Sequence, residues 1–199
     1  MYRFLFFLLF STSSIWSSFI LKDEVGLNPQ FHQQVEEMGA ELYQKSGIGV
    51  YMLILATTHG ESLSIVGKRE LEQLPKKSVL LSFAEQEKKV DILASSDEVY
   101  RLFDKEQILS PFPWSGTILP ILGEKVKGDV RKKYSVALFN GYADIVEQIA
   151  ENSNIQLEHA VGNANKYVIN TLRLIFYSVI VLALGYILYR RFRGAKKDV

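Results

Sequence analysis

The feature that most constrains this chain is an uncharged apolar run near its C terminus, from Leu174 to Tyr189. A helix of about sixteen residues is about 24 Å long, which is shorter than the hydrocarbon core of a bilayer at roughly 30 Å. Extending the helix back to Ile169 closes this gap, provided that the arginine before the run extends its side chain to the headgroups. The basic block after the run and the tyrosines near both of its ends favour a membrane span over a buried core helix. The sequence therefore predicts a transmembrane helix over residues 169–189.

The charged residues after this run set its orientation. Residues 190–199 contain five Lys or Arg and one Asp, and a basic flank of this kind stays in the cytoplasm according to the positive-inside rule. Binding to anionic lipid is a second interpretation of this tail, but a stop-transfer flank is the simpler one. We therefore predict a single-pass protein of the cytoplasmic (inner) membrane. Its tail is cytoplasmic, and the residues before the transmembrane helix face the periplasm or another extracytoplasmic space.

The N terminus has the order of a secretory leader. Arg3 precedes the apolar run FLFFLLF, and small polar residues follow that run. Residues 1–18 are therefore predicted to be a signal peptide. If the leader is not cleaved, the uncharged stretch from Phe4 to Leu21 is about eighteen residues long and serves as an N-terminal anchor. In both cases the middle of the chain lies outside the cytoplasm.

The composition narrows the class of protein. The 199 residues include no cysteine, which excludes disulfides, thiol nucleophiles and cysteine-ligated metals. The net charge of +1 gives no indication of nucleic-acid binding. The serine elbow, the phosphate loop and the H-E-x-x-H zinc motif are also absent from the sequence. A length of this order favours one folded domain over two.

The periodicity of the middle segment predicts a small α/β domain. Asn28 and Pro29 begin a helix whose apolar residues recur at spacings of three and four, and Gly47 and Gly49 end it. The run 50–58, VYMLILATT, is typical of a strand buried on both faces. The further predicted elements are a helix within 61–74, a hairpin of strands at 78–84 and 89–95, a helix from Ser96, and a helix from about Lys133 to Glu151 with Val136 among its inward-facing residues. We predict one mixed open sheet with helices on both faces, followed by a polar linker over 152–168.

Several segments, in this order, resemble the TPM domain family. They are an acidic motif before the helix that begins with Asn-Pro, then SGIGVYMLIL, VLLSFAEQEKKVDI and ILPILGEKVKGDVRKKYSVALFNGYADI. The family is named for a thylakoid lumen protein, a photosystem II assembly protein and a nematode receptor auxiliary subunit, and the resemblance covers residues 20–151. It implies an extracytoplasmic domain that acts as an accessory, assembly or quality-control factor for a membrane protein complex. The alternative that it implies is a metal-dependent acid phosphatase acting on phosphate monoesters.

The resemblance also indicates candidate metal ligands. The first acidic motif of the family matches LKDEVGL and gives Asp23, and an ungapped match places the second on Glu87 and the third on Asp104. The glycines of the third motif are missing, and the nearby carboxylate of Glu98 is displaced along the chain. Calcium and magnesium need several oxygen ligands, so the resemblance implies a calcium or magnesium site at Asp23, Glu87 and Asp104, with Glu98 as a substitute. The alternative is that Asp23 marks the start of the domain and that the others are surface residues.

A proline-rich loop carries two large aromatic residues. Phe112 and Trp114 lie in SPFPWSGTILP, from Ser110 to Pro120, where three prolines exclude a continuous helix. Aromatic side chains held in this way are common at protein interfaces. We predict that Phe112 and Trp114 bind a partner, either a membrane protein or the outer leaflet. The alternative is that Trp114 folds back over the core.

Overall fold

The computed structural model describes residues 18–125, 128–160 and 176–182. Its described residues up to His159 form one compact unit. The elements of that unit, in chain order, are β1 Ile20–Asp23, α1 Pro29–Ser46, β2 Gly49–Leu55, α2 Leu63–Leu71, β3 Ser78–Ala84, β4 Lys89–Ala94, α3 Asp97–Tyr100, α4 Lys105–Ile108, α5 Leu119–Gly123 and α6 Val130–Asn152. The predicted signal peptide, apart from Ser18, and the predicted basic tail over 190–199 lie outside the described residues.

The first helix begins and ends where the sequence predicts. The Asn28 side chain accepts a hydrogen bond of 2.7 Å from the backbone N–H of Phe31, which satisfies one of the free donors of the first turn. Gly47 ends α1 in the left-handed conformation at φ 71° and donates its N–H to the carbonyl of Tyr43. The predicted Asn-Pro start and glycine end of this helix are therefore confirmed.

The four strands form one mixed sheet in the order β1-β2-β3-β4. The first three strands are parallel, and β4 is antiparallel to β3, as the predicted hairpin requires. Every residue of β2 and β3 is buried, which is typical of strands covered on both faces. The α/β class and the mixed open sheet are thus confirmed.

Helices cover both faces of this sheet. Neighbouring side chains of a strand point to opposite faces, and Ser82 and Phe83 of β3 contact different helices. A methyl group added to Gly67 of α2 would lie 3.1 Å from Ser82 Oγ, whereas the ring of Phe83 lies 5.1 Å from that of Tyr134 in α6. Helix α2 therefore covers one face, and α6 covers the other together with α1.

The long helix α6 runs opposite to the parallel strands. Tyr134 near its start contacts Phe83 near the end of β3, and Tyr142 two turns later donates a hydrogen bond of 3.0 Å to the carbonyl of Val50 near the start of β2. The prediction that Val136 faces inward is wrong, because its side chain is 45% exposed. Val136 lies about 200° around the helix from the buried Leu138.

Ala160 and the described residues 176–182 belong to a second unit. Of the predicted transmembrane helix over 169–189, the structure describes residues 176–182, which are helical. Among the described residues, no helix combines the length and the apolar character that crossing a membrane requires. The rest of that prediction lies outside the described residues.

Candidate functional site

Three loops meet at the carboxyl edge of the sheet, where the parallel strands end. The strands β1, β2 and β3 end at Asp23, Leu55 and Ala84, and the register pairs Asp23 with Ile54 and Leu55 with Ala84. Ligands of open α/β sheets bind at this edge. Two of the predicted site residues, Asp23 and Glu87, lie here, with β2 between their strands.

The carboxylate of Asp23 is saturated with hydrogen bonds. Oδ1 accepts from the backbone N–H groups of Val25 and Gly26 at 3.0 and 2.8 Å, and Oδ2 accepts from the N–H of Leu27 and from His32 Nε2, both at 2.8 Å. The side chain is 6% exposed. Burial opposes its ionisation, but these hydrogen bonds outweigh burial and hold the pKa of Asp23 below its usual value. Asp23 thus folds the loop between β1 and α1 around an ionised carboxylate.

Glu87 holds a second loop in a similar way. It lies in the turn between β3 and β4, and its Oε1 accepts hydrogen bonds from Thr57 Oγ1 at 2.8 Å and from the N–H and Oγ1 of Thr58 at 2.9 and 3.0 Å. The N–H of Thr58 contributes most to lowering the pKa of Glu87 to about 2. Its Oε2 is shielded from solvent and has no hydrogen-bond partner among the described residues. Glu87 therefore joins the β3–β4 turn to the loop after β2.

The sequence interpretation missed the residues that surround these carboxylates at the edge. Glu24 accepts a hydrogen bond of 3.0 Å from the N–H of Ala56 and forms an ion pair of 2.6 Å with Lys22. Thr57 and Thr58 are the donors to Glu87. Both threonines belong to the predicted strand 50–58, whereas β2 ends at Leu55 and leaves them in the loop at the carboxyl edge.

A groove of about 470 Å³ opens beside this edge on the α2 side of the sheet. Apolar side chains such as Leu53 and Val66 line it together with an ion pair of 3.1 Å between Glu61 and Arg69. His59 stands on its rim in the left-handed conformation at φ 51°. The groove therefore combines an apolar lining with charges of both signs.

The other two predicted ligands lie at the opposite end of the sheet. Glu98 lies 3.8 Å from Lys77, which immediately precedes the first residue of β3. Asp104 caps α4 by accepting a hydrogen bond from the N–H of Gln107, and its own N–H donates to Gln148, which lies beyond Tyr142 on α6. The four candidate carboxylates are thus divided into two pairs at opposite ends of the domain.

This arrangement does not fit the implied calcium or magnesium site. Such a site needs several oxygen ligands around one point at about 2.3 to 2.6 Å for calcium. The two oxygens of Asp23 already accept four hydrogen bonds, and Asp104 and Glu98 lie at the far end of the sheet. Within the residues that the structure describes, no group of three or more His, Cys, Asp or Glu side chains is arranged to hold a metal ion.

The aromatic loop presents its two rings to solvent. Trp114 is 74% exposed and Phe112 is 54% exposed, and their rings stack with centroids 5.0 Å apart at an angle of 16°. The alternative that Trp114 folds back over the core is therefore wrong. The two residues form an exposed surface that we call the aromatic pair.

Hydrogen bonds and packing brace the loop behind the aromatic pair. Gln107 donates to the carbonyl of Ser115 at 2.8 Å, and Thr117 donates to Asp144 on α6. Ile118, the next residue, is fully buried and packs against Gly141 of α6. The loop is thus anchored to α6 directly after the exposed rings.

No protein-family model matches this sequence, and no curated protein is significantly similar to it. The resemblance to the TPM domain family stays a prediction.

Proposed function

We propose that this chain is a membrane-anchored, extracytoplasmic TPM-like protein that serves as an accessory, assembly or quality-control factor for a membrane protein complex. In this proposal the domain binds a membrane-protein partner through the aromatic pair, Phe112 and Trp114. The observation that carries the proposal is the exposure of these two stacked rings on a braced loop.

The chemistry of the loop supports a contact with a protein. The segment 110–123 contains no charged residue, so its burial in an interface does not require the desolvation of a charge. Phenylalanine and tryptophan offer a large contact area with few rotatable bonds, and such residues dominate binding energy at interfaces.

The bracing of the loop supports the same role. Ordering a flexible loop on binding costs free energy, and a loop already held in one conformation avoids most of that cost. The bonds of Gln107 to Ser115 and of Thr117 to Asp144 hold the segment on either side of Gly116. The aromatic pair is therefore preorganised for a partner.

The phosphatase alternative has less support from the geometry. Asp23 and Glu87 accept hydrogen bonds that organise loops, and the carboxylates proposed to complete the site lie at the other end of the sheet. Turnover of a phosphate monoester that depends on calcium or magnesium, and that is lost in Asp23→Asn while the variant remains folded, would favour this alternative.

The test of the proposed function is crosslinking of the full chain in its native membrane. We expect Trp114→Ala to remove the crosslinked complex and to leave the domain folded. Ile65→Ala is the matched control, because Ile65 is an apolar side chain on α2 that is 58% exposed. The proposal fails if Trp114→Ala leaves the crosslinking pattern unchanged, or if both substitutions reduce it equally.

A further inference from the structure

A charged side chain is buried where the chain leaves the domain. Glu41 of α1 is only 9% exposed, although carboxylates are seldom buried without partners. Its Oε1 accepts hydrogen bonds from Lys45 Nζ at 2.7 Å and from the backbone N–H of Glu158 at 2.6 Å. Its Oε2 accepts from the backbone N–H and from Nδ1 of His159, both at 2.9 Å. Four donors therefore fill the acceptor positions of one carboxylate.

The second partner on α1 binds the same segment. Lys45 Nζ donates to the backbone carbonyl of Gln156 at 3.0 Å and lies 3.8 Å from a carboxylate oxygen of Glu158. Glu41 and Lys45 are one helical turn apart, so both side chains point to the same side of α1. Together they bind three residues, Gln156, Glu158 and His159, within a stretch of four.

The end of α6 directs the chain toward this pair. Asn154 takes the left-handed conformation at φ 55°. Its N–H donates to the carbonyl of Glu151 at 3.1 Å, and the N–H of Ile155 donates to the carbonyl of Ala150 at 2.8 Å. This is the pattern of a Schellman motif. Ile155 and Leu157 then pack against the core. The turn after α6 thus places the following residues on α1.

We infer that Glu41 and Lys45 form a clasp that holds residues 155–159 on α1 and fixes the point at which the chain leaves the domain. The sequence interpretation placed these residues in a polar linker. The clasp removes five residues from that linker, and five extended residues span at most about 17 Å.

The carboxylate is suited to hold this clasp at neutral pH. Burial favours the neutral form of Glu41, but the hydrogen bonds from Lys45, from the backbone of Glu158 and His159 and from the His159 ring outweigh burial and lower its pKa to about 2. The charged or titratable groups that face it are Lys45 on α1 and Glu158 and His159 on the held segment. An ionised carboxylate accepts hydrogen bonds more strongly than a neutral one, so the clasp stays closed at neutral pH.

Hydrogen exchange of the full chain in detergent micelles tests this inference. We expect the backbone amides of Glu158 and His159 to be protected in the natural chain and to exchange about tenfold faster in Glu41→Gln, because a hydrogen bond to a charged group is stronger than one to a neutral amide. Glu37→Gln, on the same helix but exposed, is the matched control and is expected to leave these amides unchanged. Amides that exchange at the rate of an unstructured peptide in the natural chain would overturn the inference.

A second variant keeps the test independent of folding. If Glu41→Gln also raises exchange in β2 and β3, the substitution has destabilised the whole domain. His159→Ala then replaces it as the test variant, because it removes only a half-exposed ring at the end of the held segment. We expect His159→Ala to speed exchange at residues 158 and 159 while β2 and β3 stay protected. Unchanged exchange in that variant would contradict the clasp. The readout does not involve the aromatic pair, so a failed crosslinking experiment leaves this result intact.

Discussion

Asp23 Oδ2 and His32 Nε2 lie 2.8 Å apart and join the end of β1 to the first turn of α1. The bond lies between an almost fully buried carboxylate and a ring that is 40% exposed. Together with the three backbone N–H donors of the intervening loop, it gives the carboxylate a structural role at the start of the domain. A side chain that the resemblance implies to be a metal ligand is therefore engaged with the protein itself.

We expect Asp23→Asn to destabilise the domain by about 2 kcal/mol, because hydrogen bonds to charged groups contribute roughly 1.5 to 3 kcal/mol and the amide presents an N–H to donors. The corresponding fall in Tm is about 4 to 8 °C for a chain of this size. Thermal unfolding of the full chain in detergent measures it. Asp97→Asn, in the exposed first turn of α3, is the matched control and should unfold like the natural chain. Equal stability of Asp23→Asn and the natural chain would contradict this structural role.

Glu87 predicts a dependence of stability on pH. Its pKa is lowered from 4.5 to about 2 in the folded state, so its stabilising contribution is present above about pH 4.5 and is lost as the pH falls toward 2. We expect the natural chain to be more stable than Glu87→Gln at pH 6 and the difference to vanish near pH 2. Urea unfolding at a series of pH values measures this difference.

The comparison with Glu87→Gln separates the contribution of Glu87 to the pH dependence of stability from the contributions of other acidic groups. Glu41 also has a pKa of about 2, but it is present in both chains and its effect cancels. Glu106→Gln, which alters an exposed residue of α4, is the control and should track the natural chain at every pH. A constant difference between the natural chain and Glu87→Gln from pH 6 to pH 2 would show that the hydrogen bonds to Thr57 and Thr58 do not depend on the charge.

Local patterns were sufficient to predict most of the secondary structure. The cap at Asn28 and the apolar run of β2 depend on neighbours in sequence, and the helix and strand that they predict are present. The strand β1 was missed because it has only four residues, ILKD, and gains its stability from pairing with β2. The clasp was missed for the same reason, since Glu41 and the segment that it binds are more than a hundred residues apart.

The candidate metal site illustrates a different limit of sequence interpretation. A match along the chain places Glu87, Glu98 and Asp104 within a short interval, but the chain reverses direction at the turn that contains Glu87. Because β4 is antiparallel to β3, it carries the following residues to the opposite end of the sheet. Linear proximity therefore did not predict convergence, and the direction of one strand decided the outcome.

A substitution at Gly116 tests whether partner binding by the aromatic pair depends on the conformation of its loop. The N–H of Gly116 donates a hydrogen bond of 2.7 Å to the carbonyl of Phe112, and a Cβ added to Gly116 would overlap the backbone carbonyl of Ser110. Backbone atoms cannot move aside as a flexible side chain does, so Gly116→Ala must displace the loop. We expect this variant to lose the crosslinked complex although both aromatic residues are present, with a cost in stability of about 1 to 3 kcal/mol.

Gly123→Ala is the matched control, because a Cβ at Gly123 meets no described atom within 4 Å. Crosslinking in the native membrane and thermal unfolding are measured on both variants. If Gly116→Ala crosslinks as the natural chain does while Trp114→Ala does not, the rings bind without a preorganised loop and the bracing by Gln107 and Thr117 has another role. If both lose the complex while Gly123→Ala retains it, the partner recognises the rings in the conformation that the loop imposes, which is the behaviour expected of a preorganised interface.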